Sequence, residues 1–358
     1  MAFLKSFLPS RSLSAVEQLH FSQQLLSLMR AGLPLMNALN LLTQSAPNSW
    51  QPWLLSLLDL LKKGYGFSYC LSASQNQFSA EVINLIRVSE RTGDLISALR
   101  TICQQLEAQI EMKRKIQQAL AYPLITLSTS FLLVIVMMLW VVPVFKEVFS
   151  QFQAELPTPT KILIAFSTMI EHWFLEMLMI MVISFGLFIV VWTKSNQLQK
   201  RCDRFSLRIP ILGNLLRMAT LTHWCRTLGH LLHSGLALPD ALRVTAQSSN
   251  HWLSHDFSAE IFKQLTRGWP FGEALIRVDP AHQLFDIETL QLLSIGSESG
   301  TLPDMLCKRA DILGSQLSNQ LNTLSQTLEP LLILLVGMII GSIVIILYLP
   351  IFNLGQIV

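Results

Sequence analysis

The sequence predicts an all-α polytopic membrane protein: two tandem homologous cytoplasmic helical bundles plus three transmembrane helices. Three observations carry that prediction. The composition is 51% hydrophobic and only 14% charged, against about 25% charged in an ordinary soluble domain. Two uncharged runs, 124–142 and 331–349, are each bracketed by prolines: Pro123 and Pro143 in the first, Pro330 and Pro350 in the second. The bracketed runs stand 207 residues apart, and shorter echoes precede both at nearly the same offset.

In chain order, residues 1–122 are expected to form the first cytoplasmic bundle. "VEQLHFSQQLLSLMRAG" has helical periodicity and places Val16, Leu19, Leu26 and Met29 near one face. Gly32 follows that run and is itself followed by Leu33, the pattern of a left-handed glycine cap with an apolar residue beyond it. Gly64 and Tyr65 repeat the pattern, and after Gly93 the side chain of Asp94 is placed to cap the next helix. The first eighteen residues hold no sustained apolar run, so no cleavable signal is expected.

The first span is 123–143. At about 1.5 Å per helical residue, the nineteen residues between its prolines reach about 28 Å, close to the hydrocarbon thickness of a bilayer. A periplasmic loop, 144–172, is expected next, and then a second span at 173–193, "WFLEMLMIMVISFGLFIVVW" with Glu176 a turn from its outer edge. This middle span has no counterpart elsewhere because it is the return crossing between two parallel repeats. Residues 194–328 form the second bundle, 329–350 the third span, and 351–358 a periplasmic tail.

The second bundle echoes the first. "LMRAGLPLMNAL" (28–39) matches "LLHSGLALPDAL" (231–242), "KKGYGFSYCL" (62–71) matches "TRGWPFGEAL" (266–275), and "INLIRVSERTGDL" (83–95) matches "LQLLSIGSESGTL" (290–302). Gly235, Gly268 and Gly300 therefore stand where Gly32, Gly64 and Gly93 do. Thr301-x-x-Asp304 has the form of a capping box. No alternating run suggests a strand.

Charge sets the orientation. Lys and Arg number 11 in residues 1–122 and 13 in 194–329, but only Lys146 and Lys161 lie in 143–172 and none follows the third span. The basic segments stay inside, anchored by Lys113, Arg114 and Lys115 and by Lys200, Arg201 and Arg204. The N-terminus is therefore expected in the cytoplasm and the C-terminus in the periplasm. All five cysteines fall in the inner segments and read as reduced thiols. A net charge of +3 gives no reason to expect a nucleic-acid partner.

Enzymatic chemistry is not expected, and neither is a cofactor or a metal. No G-x-x-x-x-G-K-[ST] is present to cradle a nucleotide. "GSESG" is one residue out of register with a nucleophile elbow and lies between helices. The pairs His251/His255 and His230/His233 lack the glutamate of a zinc motif. Glu329 is more informative, because ionisable groups at the membrane are costly. It is either a first-turn carboxylate at the positive end of a helix starting at Pro330, or a polar contact to another membrane helix. Gly337 and Gly341 form a G-x-x-x-G on the same span, which permits close helix approach.

"ALAYP" with Pro123, "VVPVFKEVF" with Pro143, "LPTPT" at 156–160, "RIPILGNL", "GSESGTL", "LEP" with Glu329 and Pro330, and "YLPIFNL" carry a resemblance. From about residue 14 onward the chain resembles the inner-membrane platform proteins of type IV pilus assembly and type II secretion, the PilC/GspF family. The resemblance implies a bacterial, non-enzymatic platform in the inner membrane. Its implied partners are a cytoplasmic hexameric assembly ATPase, pilin or pseudopilin subunits, other inner-membrane machine components, and further copies of itself. Where the family has Gly-Glu-x-Ser-Gly this chain has Ser297 at the acidic position, so Glu298, or Glu90 of the first repeat, would have to serve. A small oligomeric transporter or channel is the alternative; it should show several buried ionisable groups at mid-membrane, and these spans show almost none.

Overall fold

The computed structural model describes residues 13–73, 77–151, 156–194, 210–248 and 252–354. His251, Cys202, the basic residues Lys200, Arg201 and Arg204, and the end of the C-terminal tail lie outside the described residues.

Every described element is a helix. The first repeat runs α1 (Ala15–Arg30), α2 (Leu35–Ser45), α3 (Gln51–Lys62), α4 (Phe67–Ala73), α5 (Ala80–Thr92) and α6 (Leu95–Val136). A π-turn, Met137–Val141, links α6 to α7 (Val142–Gln151), and α8 (Thr158–Lys194) follows. The second repeat runs α9 (Pro210–His233), α10 (Leu238–Ser248), α11 (Trp252–Thr266), α12 (Phe271–Val278), α13 (Ile287–Glu298) and α14 (Leu302–Leu354). The segment 144–172, expected as a loop, is helical on both sides of a short connection.

The glycine turns show why the two halves share this order. Leu33 N–H donates to Leu28 O and Gly32 N–H to Met29 O; Leu236 and Gly235 repeat the pair onto Leu231 and Leu232. These are Schellman caps, which need a residue in the left-handed region. Gly32 and Gly235 sit there at φ 85° and 90°. Helix starts diverge from expectation in one respect. Asp94 does cap α6, through Ser97 N–H at 2.9 Å, but the Thr301 hydroxyl pairs with Ser299. The capping box is instead at Ser14 and Glu17.

The chain divides into two compact units, one drawn from Met1–Arg114 and Leu207–Ser318, the other from Lys115–Ser206 and Asn319–Val358. In the first unit the helices of both repeats share one core rather than two. Phe21, Leu25, Leu39, Leu54 and Leu85 from the first repeat join Trp224, Leu228, Leu242, Phe285 and Leu293 from the second, because α5 packs on α9 and α10. The buried face of α1 is Phe21, Ser22, Leu25 and Leu26. Val16, expected on that face, is 60% exposed.

The second unit inverts the usual burial pattern. Its core is small, centred on Met138, Val142, Leu163, Ile343 and Leu347, while large apolar side chains point outward. Ile125, Phe131 and Trp140, then Ile180, Ile183 and Leu187, then Leu334, Met338 and Ile345 are all exposed. A contiguous apolar surface on that scale marks contact with lipid or protein. Among the described residues two helices, over Leu95–Ser150 and Leu302–Pro350, are long and apolar enough to cross a membrane. The middle expected span lies within α8.

Candidate functional site

Of the expected site residues, the prolines and Glu329 fall on helices of the second unit. Pro123 lies inside α6, and Pro330 and Pro350 lie inside α14. Pro143 is the second residue of α7, directly after the π-turn. Because α14 runs through Pro330 without a break, Glu329 is not in a first turn, and no helix N-terminus lies there to favour its charge. That expectation is corrected: the carboxylate sits mid-helix. Its partner is Tyr122, whose hydroxyl donates to Glu329 Oε1 at 3.3 Å.

Tyr122 and Glu329 are 207 residues apart and each precedes the first proline of its span. The duplicated helices therefore meet at equivalent positions, in register. The sequence held the signal for this contact: aligning the two proline brackets places tyrosine opposite glutamate. On α14, Gly337 is exposed, and a methyl group added at Gly337 or at Gly341 would meet nothing within 4 Å. This stretch of the helix is open to a neighbour.

Glu90 and Glu298 prove different in kind. Glu90 spans α5 to α4, accepting from Ser68 N–H at 3.1 Å and from the Ser68 hydroxyl at 2.5 Å. It thereby satisfies a first-turn amide of α4. Glu298 is exposed, and no hydrogen bond or ion pair is found for it among the described residues. Ser297 bonds only to its own helix, at Ser294 O. Gly93 and Gly300 each hold a left-handed turn, at φ 79° and 74°.

Sequence reading missed two polar clusters in the first unit. Arg309 on α14 is 1% exposed. It pairs with Asp286, reaches Glu288 at 2.8 Å, and donates to the Thr289 hydroxyl at 2.8 Å. The second cluster is Glu81 on α5, 3% exposed, with Gln105 and Thr227 beside it. Burial pushes the Glu81 carboxyl from 4.5 up to about 7, and the two neighbouring side chains offset only part of that. Glu81 Oε1, Gln105 Oε1 and Thr227 Oγ1 are buried without a well-formed hydrogen bond. No local pattern announces either cluster, since each depends on which helices meet.

A cleft of about 410 Å³ opens between α5, α6 and α9, lined by Thr92, Asp94, Ser97, Thr101, His230 and His233 among others. Burial, with help from Arg226, drives His230 down to about 4, so it is neutral near pH 7. His233 reaches Asp304 at 3.2 Å. Among the described residues no group of three or more His, Cys, Asp or Glu is arranged to hold a metal.

Relatives match this sequence over nearly the whole chain. The type IV pilus assembly protein TapC of Aeromonas hydrophila is 29% identical over 338 residues, covering 94% of this chain and 81% of its own length. The type 4 fimbrial assembly protein PilC of Pseudomonas putida is 32% identical over 339 residues, covering 94% of this chain and 84% of its own. The type II secretion system protein F of Xanthomonas campestris is 26% identical over 353 residues, with 98% and 86% covered. The family described as Type II secretion system (T2SS), protein F matches twice, at residues 21–143 and 224–350, so each match takes in one helical series and the long apolar helix that ends it. On that double match, the chain belongs to the type II secretion system protein F family.

Proposed function

We propose that this protein is a non-enzymatic platform in the bacterial inner membrane. It couples a cytoplasmic hexameric assembly ATPase to the extraction of pilin-like subunits from the bilayer, in a type IV pilus or a type II secretion machine. The observation that carries the reading is the course of α6 and α14. Each begins among the buried side chains of the first unit and continues without a break into a span clothed in outward apolar residues. A helix that runs from the first unit into the span is a direct covalent route from the soluble end to the membrane end.

In this reading the chain crosses the membrane three times, with α8 as the return. The N-terminus and both helical series are cytoplasmic, and the C-terminus is periplasmic. The exposed apolar side chains on α8, Ile180, Ile183 and Leu187 among them, support the third crossing. The open stretch at Gly337 and Gly341 receives a helix from outside the chain, either a pilin-like subunit or a second copy. The catalytic energy is the partner's, which suits a sequence without a P-loop.

The test is a mild-detergent pull-down from native cells after crosslinking. An assembly ATPase and a pilin-like subunit in the eluate are expected. Recovery of a self-associated protein with neither partner would refute the platform reading and favour a transporter.

A further inference from the structure

Proline has no N–H to give, so a proline inside a helix leaves the carbonyl four residues earlier without its usual donor. In lipid no water replaces it, and a hydroxyl from a neighbouring helix is one way to close the gap. The second unit contains four such positions among the described residues.

Three are closed. Pro123 frees the Ala119 carbonyl, and the Ser325 hydroxyl of α14 lies 3.1 Å from it. The same hydroxyl is 3.1 Å from Leu321 O on its own helix, so its one hydrogen is shared. At Pro143 the register is that of a π-turn, with Val142 N–H donating to Met137 O. The carbonyl then left over is that of Met138, and the Ser167 hydroxyl of α8 donates to it at 2.5 Å. Pro350 frees the Ile346 carbonyl, which accepts from the Thr160 hydroxyl of α8 at 2.9 Å. Thr160 and Ser167 are fully buried, so these hydroxyls face the helices they serve and not the exterior.

The fourth is open. Pro330 frees the Gln326 carbonyl, and among the described residues no side-chain donor reaches it. Pro330 itself is exposed, whereas Pro123 and Pro350 are buried. The repeat explains the asymmetry: the counterpart of Ser325 is Gln118, 207 residues earlier, which is exposed and not turned to this carbonyl.

We propose that three hydroxyl-to-carbonyl clasps, Ser325 to Ala119, Ser167 to Met138 and Thr160 to Ile346, lock the proline breaks of the second unit, and that the unclasped break at Pro330 is the joint at which α14 bends. Two of the clasps hold α14 on either side of Pro330, at Ser325 and at Ile346, so bending of that helix is confined to the stretch between them. Glu329, one residue before the joint, holds it through Tyr122 at the level of the first repeat's proline. A helix broken at an unsatisfied proline bends more readily than one whose freed carbonyl is occupied, because bending then costs no bond. The inference rests on these spans lying in lipid, with the Ala119 and Gln326 carbonyls at its edge; it does not depend on the identity of the partners.

Pulsed electron–electron distance measurements on the full chain in lipid nanodiscs test it. One spin-label pair, at Asn322 and Val344, brackets Pro330 at about 33 Å for a straight helix. A second, at Gln117 and Phe131, brackets Pro123. The wild-type distribution should be broad for the first pair and narrow for the second. Pro330→Ala returns an N–H to Gln326 O and should narrow the first about twofold. Ser325→Ala should broaden the second, and Ser325→Thr, which keeps the hydroxyl, should not. A first-pair width unchanged in Pro330→Ala would overturn the joint, and a second-pair width unchanged in Ser325→Ala would overturn the clasp. Neither readout uses filament assembly, so failure here is separable from failure of the platform reading.

Discussion

The two repeats place the same helices in the same order, yet they hold those helices together by different chemistry. At positions 207 residues apart, the first repeat has Ser79, Glu81, Val82 and Ile102 where the second has Asp286, Glu288, Thr289 and Arg309. In the second, Arg309 gathers the other three into one polar cluster. In the first, Ile102 takes the place of the arginine, Ser79 caps α5 through Val82 N–H, and Glu81 is left buried with no cation. Duplicated backbones tolerate this because the caps and the apolar core fix the fold. The polar positions are then free to diverge, and a carboxylate at one position becomes either an ion-pair member or a buried acid whose pKa is raised to about 7.

The largest test of that contrast is Arg309→Ile, which writes the first repeat's residue into the second. It strands Asp286 and Thr289 beside an apolar side chain. Removing one member of a fully buried pair costs about 3–5 kcal/mol. Asp286 is a third exposed and Glu288 more so, so a loss at or below the low end of that range is expected, read as a drop in the thermal midpoint of the detergent-solubilised protein. Adding Asp286→Ser and Thr289→Val, which completes the first repeat's set, should restore most of the loss. A triple variant as unstable as the single one would show that the two clusters are not interchangeable solutions.

The Glu81 contrast is smaller and depends on pH. Its folded value of about 7 lies above its ordinary 4.5. Below 4.5 the carboxyl is protonated in both states and carries no penalty. As pH rises from 4.5 toward 7, the unfolded chain ionises while the folded one does not, so stability is lost across that window and the loss is complete above about 7. The total is on the order of 3 kcal/mol. Glu81→Gln should therefore match the wild type near pH 4 and exceed it in thermal midpoint at about pH 8. A difference between the two proteins that is flat with pH would mean that Glu81 is charged in the fold.

How much of this can be read from the residues alone varies with how local the cause is. The glycine turns are legible because a Schellman cap is written in adjacent letters: a helical run, a glycine, an apolar residue. The proline-bracketed runs are legible because lipid demands length and apolarity. What is not legible is that the prolines fail to end their helices. At three of the four, Ser325, Ser167 and Thr160 arrive from other helices to take the freed carbonyl, while at Pro330 the helix continues without such a partner, and no neighbouring letter records either outcome. The same holds for Arg309, whose side chain looks in sequence like any basic residue on a long helix. The place of Glu329 at the edge of an apolar run is plain from the letters. Its place mid-helix is not, because a proline at the head of such a run reads as a helix start.

The finest difference between the repeats lies at the junction of the fourth and fifth helices of each. Ser68 and Glu90 bridge α4 and α5 in the first repeat; at the matching positions the second has Gly272 and Ser297. There the two backbones come close enough that a methyl group on Gly272 would lie 2.9 Å from the Cβ and 3.1 Å from the Cα of Ser294. One junction is held by a polar tie and the other by close approach, so the pair should have changed together. Glu90→Ser is expected to cost about 1 kcal/mol, the worth of a charge-assisted bond from an exposed carboxylate to a buried first-turn serine. Ser68→Gly in that background should add little beyond glycine's own helix penalty, because its partner is already gone. A double-mutant cycle read from thermal midpoints should give a coupling of about 1 kcal/mol between residues 68 and 90, and strict additivity would show that the bridge contributes nothing to the junction.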